Sequence, residues 1–445
     1  MQKAEVTAFL SIVFVLLVSF TGGILESASI QVAKNYRRGD MNRAIECVFA
    51  EFQKELLETY DVFALDAGYG EGEFSEEQIY DRLQFYGAEN FEGSIERIMF
   101  LSDAGAFSEQ ACKYMEHKYG LNYLEDMTGL TAIWIQQGKD AERLQKEEIN
   151  NQTLIEDLSM ENKVELPKEN NPMDYVKELK ESSLLELVMP EEKTVSERML
   201  PLNEVLSNRI SRKGFGSFEG TSSPLLFGEY LLEHFTTAAD DGGNVLDYEV
   251  EYLLAGKESD RENLDIVVKK LMGIRFVANY AFLQSSTEKR AEAEALSLTL
   301  CALFTVPAIS TAVTQGIMLA WAYGESMMDV RSLIGGQKVP LVKDSGSWQL
   351  SLAGLMKLKE TKEMGAGANY QNGLSYQDYL RILLYLEKQE TLEKRALDLI
   401  EQNLRKIKGI HQFQADSCVT KLEFRSSCRF RRDITYQFST YYEYQ

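Results

Sequence analysis

The residue types that most often carry enzyme chemistry are scarce in this sequence and poorly spaced for it. The three histidines, His117, His234 and His411, have no second histidine or cysteine at metal-ligand spacing on one local element. The Gly-x-Ser-x-Gly, His-Glu-x-x-His and P-loop patterns are missing. The glycine-rich stretch 365–369 lacks the preceding strand and the following glycine of a phosphate loop. We therefore expect no catalytic residue, no metal site, no cofactor and no enzyme activity.

One pair of carboxylates has a spacing that acid/base chemistry can use. Glu325 and Asp329 are four residues apart, which places them on one helix face, and Arg331 follows them. Burial that raised the pKa of one carboxyl would create an acid beside a base. Because no other chemical group converges on this segment in the sequence, we favour a buried ion pair or cap with Arg331 or with a distant lysine.

The five cysteines are too few and too scattered for a disulfide scaffold or a zinc ribbon. Cys418 and Cys428 are the only close pair and are our one candidate disulfide. A tight turn at Ser426 and Ser427 would instead place Cys418 opposite about Thr435, and a disulfide requires Cα atoms within about 7 Å. The redox compartment therefore stays open.

Overall composition indicates a folded, acidic protein. The chain has 445 residues, of which 44% are hydrophobic and 26% are charged, close to the averages of globular proteins. At roughly 100–200 residues per domain, two or three compact units fit this length. The formal net charge of -22 repels polyanions, which argues against nucleic acid as a partner.

Residues 6–25 form an uncharged run between Glu5 and Glu26. A helix of about 20 residues matches the roughly 30 Å hydrocarbon core of a bilayer. The run predicts one membrane anchor, with apolar side chains at Val6, Phe9, Leu10, Leu16, Leu17 and Leu25. A cleaved signal peptide is the alternative, but it would have a shorter apolar region of about 7–15 residues and a small-x-small cleavage site.

Charge alone does not fix the orientation of this anchor, because Lys3 precedes the run while Lys34, Arg37 and Arg38 follow it. The short N-terminal tail and the long domain that follows suit a signal anchor with a cytoplasmic N-terminus. We therefore expect a single-pass cell-membrane protein that contacts the lipid bilayer and has an extracellular C-terminal domain.

Helical spacing of apolar residues continues beyond the anchor to about Tyr60, with one interruption at Gly39. The candidate helix-packing face consists of Ile30, Ile45, Val48, Phe49 and Phe52. A membrane-embedded half followed by an amphipathic half is the shape of a pilin-like subunit. We therefore predict that this face packs on a neighbouring helix; the alternative is that it packs on the protein's own helical domain.

Composition divides the chain into four consecutive segments. They are the anchor (1–27), a first helical unit (28–138), a charged linker or variable region (139–223) and a helical domain that ends in a β-hairpin (224–445). Glycines at 214, 216 and 220 indicate a flexible connector at the end of the third segment. In the last segment, Ser259 with Glu262 predicts a helix start with a capping box, and Ser375 with Asp378 is a weaker form of the same signal.

Two patterns in the last segment define its fold. The uncharged stretch 295–324 is long enough for a second membrane span, but Pro307 and several polar residues favour a buried helical hairpin. Apolar and polar residues alternate over 418–424 and 428–442, which predicts an antiparallel β-hairpin. The predicted class is α+β and predominantly helical: an N-terminal transmembrane helix that continues into a long amphipathic helix, a helical extracellular domain and a small antiparallel C-terminal sheet.

Several segments together resemble one known family. They are KAEVTAFLS at 3–11, EFQKELL at 51–57, LDYEVEYLLAGK at 246–257, GQKVPL at 336–341 and GLSYQDYL at 373–380. This set resembles DUF5702, a family of Firmicutes surface proteins that look like relatives of the TadE and TadG pseudopilins. The resemblance implies association with the membrane components of a tight-adherence (Flp/Tad) pilus or related secretion system, and it implies no catalytic residue.

The sequence departs from type IV prepilins at its start. Those proteins are cut after glycine and carry glutamate at the fifth mature position, whereas Ala4 directly precedes Glu5 here. Processing by a prepilin peptidase therefore does not follow from the resemblance. The alternative function is a cell-surface binding or sensor module of unknown ligand.

Overall fold

The computed structural model describes residues 2–89, 91–120, 166–168, 170–190, 193–218, 220, 222–240, 242–302, 307–359, 370 and 373–444, together with part of 133–160. The chain forms two compact units. The first contains Met1–Gln110, Ile210–Thr221 and Leu404–Gln445, and the second contains Ala111–Arg209 and Ser222–Asn403. This division differs from the four consecutive segments of the prediction, because the C-terminal strands return to pair with a strand that ends at residue 100.

The first unit begins with helix α1, Gln2–Phe49, which continues without a break through Gly39. The sequence predicted a helix to about Tyr60. Instead, α1 ends at Phe49 and a separate helix α2, Lys54–Tyr60, follows. The break is held by Gln53, whose backbone N–H donates to the carbonyl oxygen of Ala64 at 2.8 Å and so does not extend α1.

Four antiparallel strands form one sheet in the first unit. They are β1 (Leu65–Asp66), β2 (Glu92–Phe100), β3 (Cys418–Arg429) and β4 (Thr435–Glu443). Strand β3 is central: it pairs with β2 along one edge and with β4 and β1 along the other. The predicted C-terminal hairpin is confirmed. Its turn lies at residues 430–434, where the Phe430 N–H donates to the Ile434 carbonyl at 2.8 Å, and not at Ser426 and Ser427.

Strand β2 was missed by the sequence analysis, which placed its residues in a helical unit. Its pairing with β3 shifts register between Ile95 and Arg97 and again between Met99 and Phe100. A bulge of this kind breaks the two-residue alternation that identifies a strand. The buried side chains Ile95 and Ile98 are consequently three positions apart, which is a helical spacing.

The core of the first unit lies between α1, helix α3 (Glu76–Phe85) and the sheet. Val48 and Phe49 contribute from α1, Leu83 from α3 and Phe424 from β3, and all four side chains are buried. Each side chain of this size stabilises the fold by about 1.5–3 kcal/mol when it leaves water. The sheet and α3 together therefore hold the C-terminal part of α1.

The second unit is predominantly helical. Its helices are α5 (Pro172–Glu181), α6 (Leu184–Val188), α7 (Pro224–His234), α8 (Glu249–Ala255), α9 (Asp260–Ser285), α10 (Thr287–Leu300), α11 (Pro307–Ile334), α12 (Leu352–Leu355) and α13 (Tyr376–Leu386), with the greater parts of α4 (Ala106–Tyr119) and α14 (Gln389–Lys406). The predicted helix-dominated α+β class, with a long apolar N-terminal helix and a small antiparallel sheet, is confirmed.

Helices α9 and α11 form the centre of the second unit. Trp321, in the middle of α11, is fully buried and donates its indole N–H to the Leu350 carbonyl at 2.8 Å. The predicted hairpin at 295–324 corresponds to the end of α10 and the first part of α11, where the Ser297 hydroxyl donates to the Ser310 carbonyl at 2.7 Å. The α11 part of the hairpin is buried in protein, as predicted, whereas the α10 part exposes Ala295, Leu298 and Thr299, so there the prediction of a buried core is wrong.

Both predicted serines cap their helices, but the capping box predicted at Ser259 forms only in part, because only its serine half is present. The side chain of Ser259 accepts the N–H of Glu262 at the start of α9. The complete reciprocal box forms at Ser375, whose N–H donates to Asp378 at 2.8 Å while its hydroxyl accepts the Asp378 N–H.

The region predicted as a charged linker contributes to the core of the second unit and pairs with the sheet of the first unit. Val176 in α5 and Val188 in α6 are buried in the second unit. Phe215, in the predicted flexible connector, exchanges backbone hydrogen bonds of 3.0 and 3.1 Å with Ile98 of strand β2. Because these short helices also carry many solvated charges, the composition of the region did not reveal their apolar faces.

Candidate functional site

The N-terminal half of α1 has a surface unlike that of a water-soluble helix. The six predicted anchor side chains, Val6, Phe9, Leu10, Leu16, Leu17 and Leu25, expose between 56% and 71% of their area. Among the described residues, α1 is the one helix long and apolar enough to cross a membrane. It has the length and composition of a membrane anchor or a signal sequence.

The hydroxyls of Ser11 and Thr21, within this half, form hydrogen bonds inside the helix. The Ser11 hydroxyl donates to the Thr7 carbonyl at 2.9 Å, and the Thr21 hydroxyl donates to the Leu17 carbonyl at 2.9 Å. Lipid offers no hydrogen-bonding partner, so a segment that lies in hydrocarbon must satisfy its polar groups internally. The hydroxyls are therefore compatible with burial in a bilayer.

Cations mark the transition from the exposed half of α1 to the packed half. The Lys34 ammonium lies 5.1 Å from the Tyr436 ring centroid, and the Arg37 guanidinium lies 5.6 Å from that of Phe91. Arg37 also donates to the Glu89 carbonyl at 3.2 Å. These contacts begin where α1 reaches the end of the sheet at which β2 and β4 start.

The predicted helix-packing face is largely occupied by the protein itself. Ile45, Val48 and Phe49 are 0–1% exposed in the core of the first unit. The Phe49 ring stacks on Tyr442 at 4.3 Å between centroids, and the Tyr444 hydroxyl donates to the Phe49 carbonyl. This part of the face packs on the protein's own sheet, which is the alternative interpretation and not the predicted contact with a neighbour.

The two outer members of that face lie differently. Ile30 is half-buried on α1, and Phe52, beyond the helix end, contacts the Phe63 ring at 5.2 Å between centroids. The large apolar side chains that α1 exposes lie between Val6 and Tyr36, so an apolar surface for neighbouring helices lies on that part of α1.

The candidate disulfide is corrected by the sheet. Cys418 and Cys428 are free thiols on the same strand, β3, where Cys418 is the first residue and Cys428 the last but one. At about 3.3 Å per residue they are roughly 30 Å apart, far beyond the reach of a disulfide. The prediction failed because the turn lies after Cys428.

The candidate acid/base pair is part of a buried ion network. Lys343 places its Nζ atom 2.6 Å from Glu325 Oε1 and 2.7 Å from Asp329 Oδ1. On the other side, Arg275 Nε lies 3.0 Å from Asp329 Oδ2. All four side chains are fully buried, and two cations balance two anions.

Backbone groups complete this network. Glu325 accepts the N–H groups of Gln349 at 3.0 Å and Leu350 at 2.8 Å. Burial raises the pKa of Glu325, and the charge of Lys343 opposes that rise. The interpretation of a buried ion pair with a distant lysine is confirmed, whereas Arg331 instead donates to the carbonyls of Leu187 and Leu358.

A second buried polar group, missed by the sequence analysis, surrounds helix α8. Glu251 is fully buried, accepts the Tyr376 hydroxyl at 2.7 Å and the Ala238 N–H at 2.9 Å, and burial raises its pKa to about 7. Asp398 accepts the Tyr252 hydroxyl at 2.9 Å, and burial raises its pKa to about 6. The signal in the sequence is the pair Glu249 and Glu251 within the otherwise apolar segment LDYEVEYLLAGK, and the structure buries both.

These buried groups lie within the protein and not at a reactive surface. Their partners are side chains and backbone groups of the same unit. They support α8, α9 and α11 in place. Chemistry on an outside molecule would need a route from solvent to atoms whose exposure is zero.

Three comparisons with known proteins were made. A family model described as "Family of unknown function (DUF5702)" matches residues 162–430, more than half of the chain. No curated protein and no solved structure is significantly similar to the chain. The matched range contains helices α5 to α14 and strand β3, and it begins after α1.

Proposed function

This chain belongs to DUF5702, a family of unknown function, and from that premise we propose that it is a membrane-anchored surface protein without enzyme activity. More specifically, we propose a pseudopilin-like or accessory subunit of a tight-adherence pilus or related secretion system. Its N-terminus would be cytoplasmic, its C-terminal domain extracellular, and its partners the membrane components of that system.

The observation that carries this proposal is the division of α1 into two halves. The half after residue 40 is fixed in the core of the first unit by Val48 and Phe49. The half before residue 26 exposes an apolar surface of bilayer length. A rigid helix held at one end presents its other end to lipid, or to like helices that replace lipid.

The proposal also requires contacts between the apolar halves of α1 in neighbouring subunits. Apolar helices in a bilayer associate through close packing and not through the hydrophobic effect, since lipid tails are as apolar as leucine. The run contains Gly22, Gly23 and Ser19, which allow close approach of backbones. One continuous helix then transmits the position of the membrane segment to the sheet.

A second candidate function is favoured by a different observation. The second unit has a groove of about 1130 Å³ with Lys270, Tyr323 and Leu383 in its lining. Ligand sites often combine apolar walls with a few polar groups, as this groove does. The alternative is therefore a cell-surface binding module in which α1 is only a tether.

Cysteine crosslinking in native membranes tests the first proposal. Phe14→Cys, in a Cys47→Ser background, places a thiol on the apolar run at a side chain that is 68% exposed. We expect an oxidant to join such chains to each other or to pilus components within the membrane fraction. The matched control is Val342→Cys, which is 77% exposed on the second unit and should give no such product.

Three results would oppose the proposal. Recovery of the native protein in the soluble fraction would exclude the anchor. A mature N-terminus beyond residue 25 would identify the run as a cleaved signal. Equal crosslinking from Phe14→Cys and Val342→Cys would indicate random collision and favour a tethered binding module.

A further inference from the structure

We propose that the free edge of strand β4, together with α1, accepts an extended polypeptide segment of a partner protein as an additional antiparallel strand. The site is a cavity of about 310 Å³ in the first unit, lined by Arg38, Asn42, Ile45 and Glu46 of α1 and by residues 439–442 of β4. This inference does not depend on the pilus role.

The lining itself shows that the cavity follows the strand edge. Successive side chains of a strand point to opposite faces of its sheet. Four consecutive residues, 439–442, can therefore line one cavity only along the backbone edge. Strand β3 pairs with the opposite edge of β4, so the cavity follows the outer edge of the sheet.

This edge lacks the features that usually prevent strand addition. Natural edge strands are interrupted by bulges, proline or lysine, or are covered by other chain segments. The nine residues of β4, TYQFSTYYE, contain neither proline nor lysine, and their register with β3 is unshifted throughout. Among the described residues, the backbone–backbone hydrogen bonds of 435–442 go to β3.

The opposite edge of the sheet provides an internal comparison. Strand β2 has two register shifts, and Phe215 covers it through two backbone hydrogen bonds to Ile98. The same protein therefore protects one edge and leaves the other regular. That difference points to β4 as the edge available to a partner strand.

Helix α1 places one cation and one anion along this edge, to which a partner segment of complementary charge can bind. Arg38, Asn42 and Glu46 are exposed and four residues apart, so they rise by about 6 Å per step. Alternate residues of an extended peptide are about 6.8 Å apart, which nearly matches. Asn42 lies 3.4 Å from the Thr440 hydroxyl and sets the middle of the site.

The direction of the partner segment follows from the contacts of α1. Lys34 contacts Tyr436 and Phe49 contacts Tyr442, so α1 and β4 run in the same direction. An antiparallel segment therefore has its N-terminal part beside Glu46 and its C-terminal part beside Arg38. It should carry a basic, a polar and an acidic side chain, in that order, at alternate positions.

A second copy of this chain fits the site less well. Antiparallel pairing of two β4 edges would also place the two α1 helices antiparallel. Their apolar halves would then extend in opposite directions and could not enter one membrane. The occupant we infer is thus a segment of a different protein.

The test uses the full chain in lipid nanodiscs and a labelled peptide, acetyl-Thr-Lys-Val-Thr-Val-Glu-Thr-amide, with binding followed by fluorescence anisotropy. We expect it to bind roughly three- to thirtyfold more tightly than the peptide with lysine and glutamate exchanged. The exchange replaces two exposed ion pairs, with Glu46 and Arg38, by two contacts between like charges. The double variant Arg38→Glu with Glu46→Arg should reverse that preference. Exchanging the exposed pair Lys54 and Glu58 on α2 is the control and should leave it unchanged.

N-methylated peptides test strand addition separately from charge. An added strand presents alternate amides to β4, so methylation of one alternate set should abolish binding while methylation of the other should not. Equal tolerance of both sets would overturn the proposal, as would the absence of binding at millimolar peptide. A preference that survives the double variant, or a dimer of the chain that the peptide disperses, would also overturn it.

Discussion

Lys343 places its ammonium 2.6 Å from Glu325, and both side chains are fully buried in the second unit. Glu325 is on α11, whereas Lys343 lies in the segment between α11 and α12. The pair thus joins a central helix to the chain that returns across it. A buried ion pair of this kind adds little net stability to the fold. Removing one partner is nevertheless strongly destabilising, because the other charge stays buried without a counter-ion.

Lys343→Met should destabilise the second unit strongly. It leaves Glu325 and Asp329 with one buried cation, Arg275, and an uncompensated buried charge costs roughly 3–5 kcal/mol. Urea unfolding followed by tryptophan fluorescence would report the loss. The control is Lys394→Met, which breaks an exposed pair with Glu390 and should cost at most about 0.5 kcal/mol. Similar losses in both variants would contradict a special role for the buried network.

Glu251 should make the stability of the second unit depend on pH. Burial raises its pKa from the ordinary 4.5 to about 7. The folded protein therefore holds the proton more tightly than the unfolded chain, and this contribution is fully present below pH 4.5 and is lost as the pH rises to 7. The loss is on the order of 3 kcal/mol.

The matched experiment compares Glu251→Gln with the exposed control Glu390→Gln across pH 4.5–8. The amide keeps an oxygen for the Tyr376 hydroxyl and the Ala238 N–H but does not titrate. We expect the fall in unfolding free energy with pH to become shallower in Glu251→Gln alone. An unchanged slope would mean that this carboxyl keeps its ordinary pKa in the folded protein.

Local signals in the sequence predicted those parts of the fold that local forces decide. The apolar run of α1, the caps at Ser259 and Ser375 and the alternation in β3 and β4 all appear in the structure. Each depends on residues close together in the chain. The helix-dominated class followed from them.

The parts of the fold that the sequence did not predict depend on contacts between residues far apart in the chain. The pairing of β2 with β3 joins residues more than 300 positions apart, and its bulge removed the alternation that would have indicated a strand. Val48 and Phe49 pack against the same sheet. The face of α1 that was predicted to contact a neighbouring helix is therefore part of the protein's own core. The cations that balance Glu325 and Asp329 are Lys343 and Arg275, which come from other segments, so the sequence alone left the choice between Arg331 and a distant lysine open.

Phe49→Ala should unfold or loosen the first unit. The ring stacks on Tyr442 and is fully buried, so its removal leaves a cavity and costs about 3–5 kcal/mol. Hydrogen exchange of β4 amides would show the loss in the first unit directly. Tyr36→Ala, on an exposed part of the same helix, should change exchange little. Normal protection in Phe49→Ala would indicate that α1 is not held by the sheet.

Thiol labelling should distinguish Cys47 from the other cysteines. Cys47 is half-buried, whereas Cys112, Cys301, Cys418 and Cys428 are buried free thiols. Burial raises the pKa of Cys112 to about 11, which lowers its reactive thiolate fraction further. Mass spectrometry after maleimide treatment of the folded protein should therefore find one modified site, and none in Cys47→Ser. Modification of Cys418 or Cys428 under folded conditions would contradict the burial of these thiols on β3.

Leu17→Arg should separate an apolar surface that lies in lipid from one that is merely exposed. An arginine at the centre of a membrane helix costs about 2.5–3.5 kcal/mol on insertion scales. We expect this variant to lose its resistance to alkaline extraction, because Leu17 lies near the middle of the uncharged run. Tyr36→Arg is the control: Tyr36 is 70% exposed but lies beyond that run, so extraction should not change. If both variants stay in the membrane pellet as firmly as the native protein, α1 is not the anchor and the proposed topology fails.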